Sequence, residues 1–112
     1  MFPAQPNYFQ TQPIQPSYPL QIYQVGQGII RGNGIAQISL YPSTQATIVS
    51  AKIEGTSLSS FNVNPIVLQP GQNEIQFNDV SSLTSGSNYL ITLVVNIGGN
   101  ITEIRVTAVY QP

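Results

Sequence analysis

The sequence contains no cysteine, no histidine and no tryptophan. Without cysteine there is no disulfide framework, no thiol nucleophile and no thiolate metal site. Without histidine the commonest general base and the commonest metal ligand are both gone. Full charge is scarce as well: three basic and four acidic side chains, 6% of the chain, where ordinary domains carry about a quarter. The charged residues are Arg31, Lys52, Glu54, Glu74, Asp79, Glu103 and Arg105. Three cations scattered along a chain cannot neutralise a run of phosphates, so nucleic acid is not an expected partner. No stretch approaches the roughly 18 apolar residues of a membrane span. The first residues, Met1-Phe-Pro-Ala-Gln-Pro-Asn, show neither a basic region, an apolar region nor a cleavage pattern, so no signal peptide is expected.

Polarity comes instead from Gln, Asn, Ser and Thr. A formal net charge of −1 leaves little repulsion between copies, and near-neutral proteins tend to associate. Few groups titrate, so the surface should change little with pH, which suits harsh or acidic surroundings. The composition suits the outside, yet no export signal is read. Assembly without export is the expectation that follows.

With 112 residues there is room for one core that buries roughly two-thirds of the extended chain's surface. The chain divides into an arm, residues 1–19, and a body, residues 20–112. In the arm, prolines at 3, 6, 13, 16 and 19 deny helix and central strand, and three of their gaps match the three-residue repeat of polyproline II. The arm is uncharged and interleaved with Gln5, Gln10, Gln12 and Gln15. Its aromatics Phe2, Tyr8, Phe9 and Tyr18 point to an inter-subunit arm that orders on a neighbour. A disordered proline-rich linker is the other reading of such composition. An SH3-type ligand fits less well, since no Arg or Lys flanks the prolines.

The body reads as short strands separated by turns, with no helical period. Leu20–Val25 is a first strand. Gly26-Gln-Gly28-Ile-Ile-Arg-Gly32-Asn-Gly34 has the glycine count of a phosphate loop, but a strand follows where a helix N-terminus would be needed, so a bulge or hairpin turn is expected. Ala36, Ile38 and Leu40 point inward, with Gln37, Ser39 and Tyr41 outward. Over 47–53 the alternation predicts Val49, Ala51 and Ile53 inward and Ile48, Ser50 and Lys52 outward. Residues 55–60 form a polar crossing between sheets. Residues 61–68 make an edge strand broken by Pro65. Gln69-Pro70-Gly71-Gln72 is a turn, and Ile75 and Phe77 face inward beyond it. The most apolar run follows: Ile91, Leu93, Val95 and Ile97 share one face after Tyr89. Gly98-Gly99-Asn100 turns the chain, and Ile104, Val106, Ala108 and Tyr110 return on the core face while Glu103, Arg105 and Thr107 face solvent.

No constellation of catalytic groups is visible. Acid–base work needs two carboxylates converging in a pocket, and the spacing of 54, 74, 79 and 103 does not suggest it. Calcium would need clustered acidic oxygens, and Glu74 with Asn78-Asp79 reads as an ordinary loop. Ser81, Ser82, Ser85 and Ser87 have no base to activate them. No cofactor is expected, and the chain is read as no enzyme. Asn100-Ile101-Thr102 is a glycosylation sequon at a hairpin tip. Tyr23 and Tyr41 are candidates for exposed contact residues, but no paired aromatic platform is predicted.

The spacing Leu83-x-x-Gly86-x-x-Tyr89 resembles the tyrosine corner of immunoglobulin-like and fibronectin-type sandwiches, whose tyrosine hydroxyl bonds back to the loop backbone. The Trp-plus-disulfide core of antibody domains is excluded by composition. The expected fold is all-β, a single antiparallel immunoglobulin-like β-sandwich of about seven strands behind the extended arm. From about Gln37 to Ala108 the chain resembles the outer domains of archaeal surface filament subunits. Ser39-Leu40-Tyr41-Pro42 before a Thr-containing turn, Val67-Leu68-Gln69-Pro70-Gly71 before an alternating strand, and Leu83 to Tyr89 before a Thr/Val strand carry the likeness. Those filaments are built on a long hydrophobic N-terminal helix, which the arm replaces here. Structural proteins of archaeal viruses use similar sandwiches. The resemblance therefore implies a virion coat or surface-projection subunit, with copies of itself or other coat proteins as partners. The alternatives are a cellular extracellular filament subunit, and a module that contacts glycans or a host surface.

Overall fold

A computed structural model describes residues 22–60 and 66–112. The arm, with Phe2, Tyr8, Phe9 and Tyr18, and the part of the expected edge strand around Pro65 lie outside the described residues. Every regular element described is a strand: β1 (Ile22–Gln24), β2 (Gly28–Ile30), β3 (Ile35–Pro42), β4 (Thr47–Ile53), β5 (Ile66–Val67), β6 (Gly71–Gln76), β7 (Asn88–Ile97) and β8 (Asn100–Tyr110). Among the described residues no helix is long and apolar enough to cross a membrane.

The strands join into one hydrogen-bonded sheet in the order β1-β3-β2-β8-β7-β4-β5, with β6 also on β3. β6 pairs with β3 along residues 35–40, so β1 and β2 must share the other edge of β3, end to end. β1 meets β3 at Gln24↔Leu40 and β2 meets it at Ile29↔Gln37. Five steps on one strand oppose three on the other, so the chain bulges between them. The glycine-rich stretch thus contains a bulge and a turn, as expected, with a strand between them that the glycines disguise.

One pairing departs from the expected antiparallel pattern. β2 runs parallel to β8, with Gly28↔Ala108 and Ile30↔Tyr110 in register. The sheet is therefore mixed, and among the described residues it has eight strands. It also curls. Ser59 bridges to Lys52 on β4, and Ser60 bridges to Phe77 just past β6, so the crossing at 55–60 draws the two ends of the sheet together.

The curl encloses one hydrophobic cluster. Ala36, Ile38 and Leu40 of β3, Ile75 of β6, and Ile91, Leu93, Val95 and Ile97 of β7 are buried, on the faces the alternation predicts. Phe77 is the largest fully buried side chain. Each buried Ile, Leu, Val or Phe among them contributes about 1.5–3 kcal/mol by leaving water. In β4 the prediction fails. Ile48 is fully buried and Val49 is 44% exposed, the reverse of the expected order. The register with β7 shifts between Ile48 and Ser50, and a one-residue bulge moves side chains to the opposite face. Ala51 and Ile53, beyond the bulge, are inward as expected.

The hairpin β7–β8 is the longest pairing, in register from Asn88↔Val109 to Ile97↔Asn100. Gly98 and Gly99, at φ +57° and +90°, fill its two-residue turn, as a type I′ hairpin requires. Gly34 is constrained more severely. It closes the turn after β2, donating its N–H to the Arg31 carbonyl while its own carbonyl accepts from Phe77 N at 2.8 Å. Its φ is +89°, and a Cβ there would lie 2.2 Å from the Phe77 carbonyl oxygen. Gly34→Ala should destabilise the fold by more than about 2 kcal/mol, combining positive-φ strain with a backbone clash. Gly55→Ala, at φ +79° with nothing within 4 Å, should lose only about 1 kcal/mol. Urea denaturation of both variants checks the difference. Equal losses would contradict the packing described around Gly34.

Candidate interaction surface

The two outer faces of the curled sheet differ. Across β1, β3 and β6 the outward residues are Tyr23, Tyr41, Ser39, Gln37, Gln72, Glu74 and Gln76. Glu74 is the one charge on these strands, and it accepts a hydrogen bond from Gln37 Nε2 at 3.3 Å. Tyr23 stands opposite Tyr41 in the ladder. Their rings stack with centroids 6.2 Å apart and planes 23° from parallel, a spacing at which aromatic pairs attract. Both remain open to solvent, Tyr23 at 59% and Tyr41 at 42%. The chain therefore does carry a paired aromatic platform. Sequence reading named both tyrosines but could not pair them, because β1 carries three residues and its partner was unknown. The signal lies in the register, which the bulge after Gln24 sets.

The face across β4, β7 and β8 gathers charge. Lys52 sits beside Thr92 and Thr92 beside Arg105 in the ladder, while Glu103 lies opposite Val94. Glu54 follows at the end of β4, its N–H bonded to the Leu90 carbonyl. Four of the chain's charged residues thus line one shallow groove with Ser50, Ser59 and Ser60. Scattered in sequence, they converge in space. Signs alternate: Lys52 Nζ is 3.9 Å from Glu54 and Arg105 is 3.8 Å from Glu103. Thr92 Oγ1 also donates to the Glu54 carboxylate. Exposed pairs of this kind contribute little stability. Each carboxylate is matched by its own cation, so the groove offers no unopposed acid, base or cation pair.

Other polar groups are tied into loops. Asn73, 5% exposed, accepts from Gln69 N and donates to the carbonyls of Gln69 and Gly71, each at 3.0 Å. It pins the turn before β6 and was not singled out from sequence. Its signal was its place in the strand, the one inward polar residue between Gly71 and Ile75. At the other end of the sheet, the Tyr89 hydroxyl accepts from Thr84 N at 2.7 Å. Leu83 is buried and Gly86 has φ +83°, so the three residues sit together at the loop that enters β7. Asn100 is exposed at the tip of the β7–β8 hairpin. Among the described residues no group of three acidic or metal-binding side chains converges. Glu74 and Asp79 are separated by the end of β6.

Residues 3–111 match the model of a family described as a protein of unknown function, DUF973. The chain belongs to the DUF973 family. The match begins inside the proline-rich arm, so the DUF973 unit takes in arm and body together. Comparison with curated proteins gave no match.

The DUF973 chain should respond weakly to pH. Asp79 is held below its ordinary 3.8 by hydrogen bonds from the Ser81 side chain and backbone, opposed slightly by desolvation. The backbone bond, Ser81 N to Asp79 Oδ1, is 3.0 Å. Folding favours the ionised carboxylate, so its contribution is present above about pH 4 and is lost as pH falls through the lower folded value. With no histidine, the unfolding free energy should stay level between about pH 5 and pH 8 and decline only in more acidic solution. Urea midpoints measured across that range test this. A sharp change near neutrality would contradict it.

Proposed function

We propose that the chain is a non-enzymatic structural module that works by contact, packing against copies of itself or of companion proteins at a surface. The observation that carries this reading is the stacked Tyr23–Tyr41 pair, exposed on a face whose other outward groups are mostly amides and hydroxyls. Exposed aromatics on a weakly charged face favour protein contact. The near-zero net charge lets like subunits approach without repulsion. Each carboxylate is occupied structurally: Glu54 and Glu103 by cations, Glu74 by Gln37 and Asp79 by Ser81.

On this reading the curled sheet is an immunoglobulin-like sandwich whose two layers stay joined. β1, β3 and β6 correspond to strands A, B and E. β4, β7 and β8 correspond to C, F and G. Two features support the assignment. β7 has β4 and β8 as its neighbours, the C-F-G order of such a domain, while β6 lies beside β3 as E lies beside B. Tyr89, at the start of the strand corresponding to F, bonds back to the preceding loop as a tyrosine corner does. The likeness to archaeal filament and virus sandwiches supplies the setting we favour, a virion coat or surface projection, with an extracellular filament as the alternative.

A second reading shares the same observation, since a stacked tyrosine pair is also a platform on which a sugar ring can lie. Sedimentation of the full chain over a thousandfold range of concentration separates the two. The structural reading expects association to rise with concentration. A monomer throughout that binds an oligosaccharide with perturbation of the Tyr23 and Tyr41 resonances would replace it with the glycan reading.

A further inference from the structure

We infer that the Tyr23–Tyr41 pair is the seat for residues 13–19 of a second copy of this chain. The inference rests on the structural reading above and specifies its contact. The segment reads Pro13-Ile-Gln-Pro16-Ser-Tyr-Pro19, with prolines at the three-residue repeat of polyproline II. Proline-rich segments in that conformation dock on exposed aromatic rings, and they lose little entropy because their backbone is already restricted. The two surfaces also match in charge. The segment has none, and β1, β3 and β6 carry only Glu74, which is engaged with Gln37. A basic flank, which an acidic receptor would need, is unnecessary here.

The occupant comes from another copy because of where the segment joins the sheet. Ile22 is already in β1, paired with Pro42, one residue before Tyr23. In polyproline geometry the chain recedes at about 3.1 Å per residue, placing Pro16 about 20 Å from Tyr23 along the chain and Pro13 about 30 Å. With residues 13–19 in that geometry, only Leu20 and Gln21 separate the segment from β1. A two-residue reversal returns a chain alongside its strand in the plane of the sheet, whereas the rings stand out from the sheet's face. The segment therefore reaches the rings of a neighbour and not its own. Each copy offers one segment and one seat, so the contact either closes as a reciprocal dimer or runs on from copy to copy.

The test is sedimentation of three full-length proteins: the natural chain, Tyr23→Ala/Tyr41→Ala, and Pro13→Ala/Pro16→Ala/Pro19→Ala. Thermal melts confirm that each is folded, as expected for exposed rings and for proline positions that precede β1. Both variants should raise the concentration for half-association about tenfold. Combining them should add little, because they remove two sides of one contact. A synthetic peptide of residues 10–21 should compete with association of the natural chain and shift the Tyr23 and Tyr41 resonances. If the natural chain associates and neither variant changes the midpoint, the seat is wrong while the structural reading stands. If the natural chain remains monomeric throughout, both fall.

Discussion

The fold depends on one short stretch, residues 24–30, that bonds to both halves of the sheet. β2 pairs with β3 on one side and with β8 on the other. Just upstream, where the chain bulges away from β8, the Gln24 side chain takes over the pairing. Its Nε2 donates to the Thr107 carbonyl at 2.7 Å and its Oε1 accepts from Thr107 N at 2.9 Å. One amide side chain thus satisfies both backbone groups of a residue on the edge of β8, as an adjacent strand would. Gly28 fits the same seam. A Cβ there would lie 3.1 Å from Gln37 O, Ile38 Cγ1 and Thr107 O, so any side chain would push the seam open by a few tenths of an ångström. The curl, the enclosed core and the position of Tyr23 all follow from this seam.

The scarcity of charge then takes on a spatial meaning. Four charges sit on the β4–β7–β8 face in alternating signs, and the β1–β3–β6 face carries tyrosines, amides and a serine with Glu74 as its one charge. A module built this way has one face that hydrates strongly and one that does not. The second is where contact releases the most weakly held water for the least desolvation of charge. The described chain enters that face at Ile22, one residue before Tyr23. The functional proposal rests on the exposed tyrosine pair on this face.

Much of the core was legible in the sequence. The alternations at 36–40, 75–77, 91–97 and 104–110 identify inward residues correctly because each strand is regular over its length. The paired glycines and the Leu83–Tyr89 spacing locate the hairpin and the loop before β7 by local chemistry. What escaped was non-local. The bulge after Ile48 inverts a face without any glycine to announce it. β2 hides among glycines whose flexibility suggests only a turn, and its parallel pairing depends on β8, some 80 positions away. The surface was illegible for the same reason. Tyr23 becomes a platform only through its register with Tyr41, and Lys52, Glu54, Glu103 and Arg105 become a groove only once β7 lies between their strands.

The seam is tested most directly by amide hydrogen exchange at Thr107. This N–H faces away from β7, and a side chain is its partner. The account predicts slow exchange in the natural chain. It predicts exchange at least about tenfold faster at Thr107 in Gln24→Ala, where the bond is removed, with loosened protection across β2. Exchange at Thr107 that is unchanged by Gln24→Ala, with β2 equally protected, would contradict the claim that this stretch ties the two halves of the sheet together.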